Sequence, residues 1–141
     1  MVKKITVVVE TGKDLFSCFM SDADDLDFGI VGDGKTAAKA MEDFIAAADE
    51  IKTHYKEQGK EFPELEFDFI FDVGAFFDYY PINITAFARR IGINPSQLRQ
   101  YARGIRTPKA STLARINEGL KNTARDIAAG RLIDKPVLQY V

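Results

Sequence analysis

NITAFARRIGINPSQLRQYARGIRTPK, residues 83–109, is the stretch around which the chain is organised. Asn83 is placed to cap a helix carrying Phe87, Ala88 and Ile91 on one face, and Gly92 then supplies the positive φ of a tight turn. After Ile93, Asn94 can cap a second helix with Pro95 at its first position, where the missing N–H costs nothing. Leu98 and Tyr101 of that second helix point back to the core, and Gly104 ends it. The spacing predicts two short helices crossing at a glycine turn.

Charge divides the 141 residues around this stretch. The net charge is only -2, yet residues 1–74 hold 8 Lys, no Arg and 17 acids, whereas residues 75–141 hold 8 Arg, 3 Lys and 4 acids. A step from -9 to +7 along one chain predicts two modules with opposite partners, a basic one for a polyanion and an acidic one for something basic or for nothing. Every arginine lies in the second half, where phosphate binding and base readout use them. The hydrophobic content of 46% is enough for real cores, and no apolar run approaches the 18 or more residues of a membrane span. The start, MVKKITVVVETG, has no signal-peptide pattern, so a cytoplasmic protein is expected. One cysteine, Cys18, rules out an internal disulfide and a thiolate metal cluster, and in its apolar run it reads as a small buried hydrophobe.

The acidic half reads as an α+β unit. Lys4–Glu10 is β-branched, the turn-like Thr11–Asp14 follows, and Leu15–Met20 returns, which predicts a hairpin; a third strand is expected near Leu26–Val31, after the acidic turn Ser21–Asp25. Thr36 can cap a long helix whose Met41, Phe44, Ala48, Ile51 and Tyr55 form one apolar stripe, with Asp43, Asp49 and Lys52 outward and Gly59 at its end. Glu66–Phe71 alternates again as a fourth strand, completing the order βββαβ by Asp72. VGAFFDYYP, residues 73–81, predicts a short helix packed on the crossing pair, and residues 111–129 predict one or two closing helices with Leu113, Ile116, Leu120 and Ile127 inward. The domains expected are therefore 1–72, 75–130 and an apolar tail, 131–141, that is either frayed or a strand or arm on a partner subunit.

Three other patterns point to chemistry. GIVGDGKT, residues 29–36, satisfies the P-loop expression G-x-x-x-x-G-K-[ST], and FIFD at 69–72 is similar to a Walker B strand. Against nucleotide binding, too little chain follows for a mostly parallel sheet, and Ile30 and Val31 read as strand rather than as phosphate loop; a strand end, a Gly-rich turn and a Thr cap explain the same residues. Glu10, Asp68 and Asp72 on neighbouring strands have the chemistry of a two-metal nuclease cluster, but nothing in their spacing demands one and a solvated acidic face is far more common. His54 falls beside the helix stripe with no nucleophile near it in sequence, which reads as a surface residue. Neither a metal nor a cofactor is expected.

The stretch 83–109 resembles the helix-turn-helix of phage repressors and Cro proteins. The resemblance rests on the small Ala88 at the helix crossing, Gly92 in the turn, Ile93 and Leu98 in the core, and the closing Arg103, Gly104, Arg106 and Pro108; Ile84 stands where many members carry a phosphate-holding Gln. It implies that Ser96, Gln97 and Gln100, with Arg99 beside them, enter the major groove of double-stranded operator DNA, where Gln pairs with adenine and Arg with guanine. The whole chain to about residue 125 is similar to HicB-like antitoxins of toxin-antitoxin systems, through the strand pair, the GDGKT turn before KAMEDFIAAADEI and the ending EFPELEFDFIFD, with Asp27-Phe28-Gly29 near the place of the usual Pro-Gly-Cys. That resemblance implies a degenerate RNase H-like domain that blocks a small basic HicA-like toxin acting on messenger RNA. It also implies a homodimer or higher even oligomer repressing its own operon, with Arg89, Arg90, Arg103, Arg106 and Lys109 on DNA phosphates. The alternatives are a stand-alone DNA-binding regulator whose acidic domain senses a ligand or dimerises, and a P-loop or RNase H-like enzyme.

Overall fold

Strand β1 (Val2–Thr11) alternates so that Ile5, Val7 and Val9 are buried on one face. In the computed structural model, which describes residues 2–21 and 26–134, β1 lies in the middle of a mixed sheet. On one side it pairs antiparallel with β2 (Phe16–Met20), which pairs antiparallel with β3 (Val31–Gly34); on the other it pairs parallel with β4 (Glu64–Phe71). The order is β3-β2-β1-β4. The expected α+β class and the βββαβ sequence of elements are thus present, and α1 (Ala37–Glu57) makes the crossover that parallel pairing of β4 requires.

Helix α1 lies across one face of the sheet. Phe44 is fully buried, edge-on to Phe67 and Phe69 of β4 at centroid separations of 5.1 and 6.0 Å, a burial worth about 1.5–3 kcal/mol. The helix comes closest over β3. A Cβ on Gly32 would stand 2.6 Å from the Ala40 carbonyl oxygen, and one on Gly34 would meet the Lys39 and Ala40 backbone. Only glycine lets backbone approach backbone at these two points.

This close approach moves the third strand from its expected place. Leu26–Ile30 alternates like a strand but is irregular in structure, while the strand itself is Val31–Gly34. The Leu26–Ile30 apolar residues are used elsewhere: Phe28 stacks on Phe62 at 5.3 Å and meets Tyr55 edge-on at 5.7 Å, and the Tyr55 hydroxyl donates to Asp27 at 2.7 Å. The Gly-rich turn expected in GIVGDGKT is likewise strand rather than turn. Gly32 and Gly34 lie in a paired strand, the Ala37 amide at the start of α1 donates to the Asp78 carboxylate at 2.8 Å, and the Asp33 amide donates to Asp43 at 2.9 Å. Amides expected to cradle phosphate already serve carboxylates, and those carboxylates would repel it. Only Thr36 keeps its expected role, accepting from the Lys39 amide as the cap of α1.

Among the described residues four helices follow the sheet: α2 (Val73–Tyr79), α3 (Ile84–Ile91), α4 (Pro95–Ala102) and α5 (Ala110–Ala129). Phe87, Ala88, Ile93, Leu98, Tyr101 and Ile116 form a second core. Helix α2 belongs to both cores, because Ala75 is buried with the sheet residues while Val73 and Phe77 pack on the second cluster. Residues 111–129 form one helix rather than two, and only Ile116 and Leu120 of its expected stripe face the core; Leu113 is 40% and Ile127 70% exposed. Arg131–Asp134 is exposed and irregular, and residues 135–141, on which the strand or arm was expected, lie outside the described residues.

Cys18 is buried as expected. Burial first, then the nearby Asp33 and Asp43 carboxylates, push its thiol from an ordinary 9.0 up to about 11. The folded chain therefore holds a proton that the unfolded chain releases in this range: the thiol's contribution to stability is full below pH 9.0 and is lost as pH rises toward about 11. Folded protein at pH 8 should react with iodoacetamide at least about a hundredfold more slowly than the chain in urea, read by mass spectrometry. Gly32→Ala should lower the unfolding free energy by about 1–3 kcal/mol in urea titrations, because two backbones must separate.

Candidate nucleic-acid interface

Helix α3 begins at Asn83, whose side chain accepts from the Ala86 amide at 2.9 Å, and ends at Gly92 with φ 75°. Asn94 caps α4 by accepting from the Ser96 amide at 2.8 Å, and Pro95 takes the first helical position. Ala88 is fully buried, and the Ile93 amide donates to the Ala88 carbonyl at 2.9 Å, which closes the turn. Leu98 and Tyr101 hold α4 to the second core, so the opposite side of α4 is turned to solvent. Arg115 of α5 secures the same turn from outside, donating to the Ile91 and Gly92 carbonyls at 2.8 and 3.0 Å. These carbonyls are left without helical partners at the end of α3, and a cation there is favoured by the helix dipole.

The expected base readers differ in freedom. Ser96 and Arg99 are exposed, whereas Gln97 and Gln100 are half-buried. The Gln97 amide nitrogen donates to the Tyr101 hydroxyl at 2.6 Å, and Arg99 donates to Thr85 Oγ1 of α3 at 2.8 Å. Both side chains are thereby oriented before any ligand arrives, and the guanidinium keeps further donors for a base edge. The i,i+4 spacing of Gln97 and Tyr101 was readable in the sequence, but the bond from Arg99 to Thr85 is created by the helix crossing. Ile84, in the place of a phosphate-holding Gln, packs on the second core.

Among the expected phosphate contacts, Arg89, Arg103, Arg106 and Lys109 are exposed on α3, at the end of α4 and in the following turn. Arg90 is instead engaged in an ion pair with Asp126 of α5, both side chains being about half or more exposed, at 48% and 64%. Such an exposed pair is worth little and exchanges readily. Glu10 and Asp68 are exposed, Asp72 is engaged as a cap, and among the described residues no group of three or more His, Cys, Asp or Glu is placed to hold a metal ion. His54 is exposed in the last turn of α1.

A short helix pair closed by a glycine turn, with the second helix exposed at its amino end and arginines around it, defines a DNA-binding helix-turn-helix. Residues 82–127 match the helix-turn-helix family and form a domain of the Cro/C1 type. No curated protein and no solved structure matches the chain. Among the described residues no helix is long and apolar enough to cross a membrane.

Tyr101→Phe should leave the fold intact and release Gln97. The expected outcome in competition binding against a panel of single-base operator variants is a weaker preference at one position, with total affinity for unspecific DNA unchanged. Arg115→Ala should lower thermal stability by about 1–2 kcal/mol through the two freed carbonyls, measured by calorimetry.

Proposed function

We propose that the protein is a transcriptional regulator that binds double-stranded operator DNA as a dimer and acts by occupying it, without catalysis. The observation that carries this reading is the exposed amino end of α4, where Ser96 and Arg99 stand free of the core inside the helix-turn-helix domain. Ser96, Gln97, Arg99 and Gln100 read base edges, and Arg89, Arg103, Arg106 and Lys109 neutralise phosphates; Arg90 joins them by exchanging Asp126 for a phosphate. A second copy supplies the other half-site, about 34 Å away along the duplex. Exposed Ile127, Leu132 and Ile133 beyond the second core are the apolar surface available for that contact.

A second reading, an antitoxin of the HicB-like kind that also represses its own operon, is favoured by the open face of the sheet. Val31, Phe19, Val8 and Ile70 stand in register across all four strands and make an apolar row on the face that α1 does not cover. Exposed Glu10, Asp33, Glu66 and Asp68 flank it. A small basic toxin has the charge to dock there, with its active groups occluded.

Fluorescence anisotropy with DNA from upstream of the gene tests the first reading. The expected result is affinity at least about a hundredfold above scrambled DNA, with a steep loss as salt rises. Arg106→Ala should weaken both DNAs alike and flatten the salt slope by about one unit, while Gln97→Ala should relax base preference. Equal affinity of the parent for operator and scrambled DNA would refute sequence-specific regulation. For the second reading, the full chain is co-expressed with small basic proteins encoded beside it; a stoichiometric complex lost on Phe19→Glu supports docking on the open face.

A further inference from the structure

We propose that the junction between the sheet and the helix-turn-helix domain is a binding site for a small aromatic carboxylate that competes with DNA for Arg106. A cavity of about 640 Å³ opens there, within the range of small-molecule sites. Its walls come from both halves of the chain. Phe71 and Phe76 contribute from β4 and α2, and Tyr101, Leu113, Ile116 and Leu120 from α4 and α5. Such walls suit a flat, apolar body of one or two rings.

The polar groups at the cavity select its charge. Asp72 reaches it, but both carboxylate oxygens are already engaged, accepting from the Thr11 amide, the Thr11 hydroxyl and the Ala75 amide at 2.8 Å each. It therefore does not call for a cation. Arg106 lines the same cavity and is exposed, and among the described residues its guanidinium has no carboxylate or carbonyl partner. Thr107 and Asn117 add neutral donors beside it. An unpaired guanidinium next to aromatic walls favours an anion on an apolar body, and a carboxylate can take it in the bidentate geometry that phosphate also uses.

The consequence for DNA rests on the regulator reading; the binding itself does not. Arg106 is one of the phosphate contacts of that reading, so a carboxylate seated on it removes a DNA contact. The ligand is then an inducer that lowers operator affinity.

Isothermal titration calorimetry of the full chain without DNA, using naphthalene-1-acetate and its neutral amide as probes, tests the site. The expected result is one acetate per chain, bound at least tenfold more tightly than the amide, with Arg106→Gln reducing the acetate to the amide's affinity. Leu113→Trp fills the cavity from a 40% exposed position and should abolish binding of both; Asn117→Trp, also at an exposed position, serves if that variant does not fold. No saturation at millimolar acetate, equal affinity for acetate and amide, or unchanged binding in a folded Trp variant each overturns the proposal. Anisotropy with operator DNA then reads the coupling. A fall in the parent's DNA affinity at saturating acetate, absent in the Trp variant, supports competition, and an unchanged affinity overturns that part. A chain that binds acetate but no DNA at all instead defeats the regulator reading and leaves the site standing.

Discussion

The Asp72 carboxylate connects the end of β1 to the beginning of α2. Three donors converge on it, two from Thr11 and one from the Ala75 amide, so the last residue of the central strand and the first turn of the helix share one anchor. Gly74 then lets α2 sit against Thr11 on one side and the Ala102 carbonyl at the end of α4 on the other, where any Cβ would collide with both. Phe77 of α2 continues the contact to Phe87 of α3 at a ring separation of 5.7 Å. Through this sequence of contacts the orientation of α4 is tied to the sheet. A charged hydrogen-bond acceptor serving several donors is stronger than neutral pairs, which is why a short helix of seven residues can transmit it.

Electrostatics give the two ends different work. Among the described residues, exposed acids such as Glu42, Asp43, Glu66 and Asp68 lie on α1 and on the open sheet face, and exposed Arg89, Arg99, Arg103 and Arg106 lie on α3, on α4 and in the turn after it. A duplex approaching the chain is repelled by one end and attracted by the other over a Debye length of about 8 Å at physiological salt. The cavity lies at the junction, where exposed Arg106 stands beside the apolar walls.

Much of this was legible in the residues themselves. Caps and turns are local, so Asn83, Gly92, Asn94, Pro95 and Thr36 were placed correctly from spacing alone. The alternation of β1 and β4 and the stripe of α1 depend only on the period of each element. The readings that failed involve choices between equivalent local patterns. Leu26–Ile30 has the alternation of a strand, but VGDG took the edge of the sheet because α1 tolerates no side chain over Gly32 and Gly34. Leu113 and Ile127 keep the helical spacing of Ile116 and Leu120, yet the second core is too small to cover all four.

For the interface, sequence by itself determined which residues ride on α4 and which carry positive charge, since helical phase and composition need no partner. Only the tertiary structure decided what holds them. Arg99 meets Thr85 because α3 and α4 cross, Arg90 meets Asp126 because α5 returns over α3, and Arg115 is taken up by the carbonyls at the turn. Each of these pairs joins residues at least 14 apart in the chain, and no local period encodes such a distance. The sign of the charges was written in the sequence; which of them remain available to a partner follows from the packing.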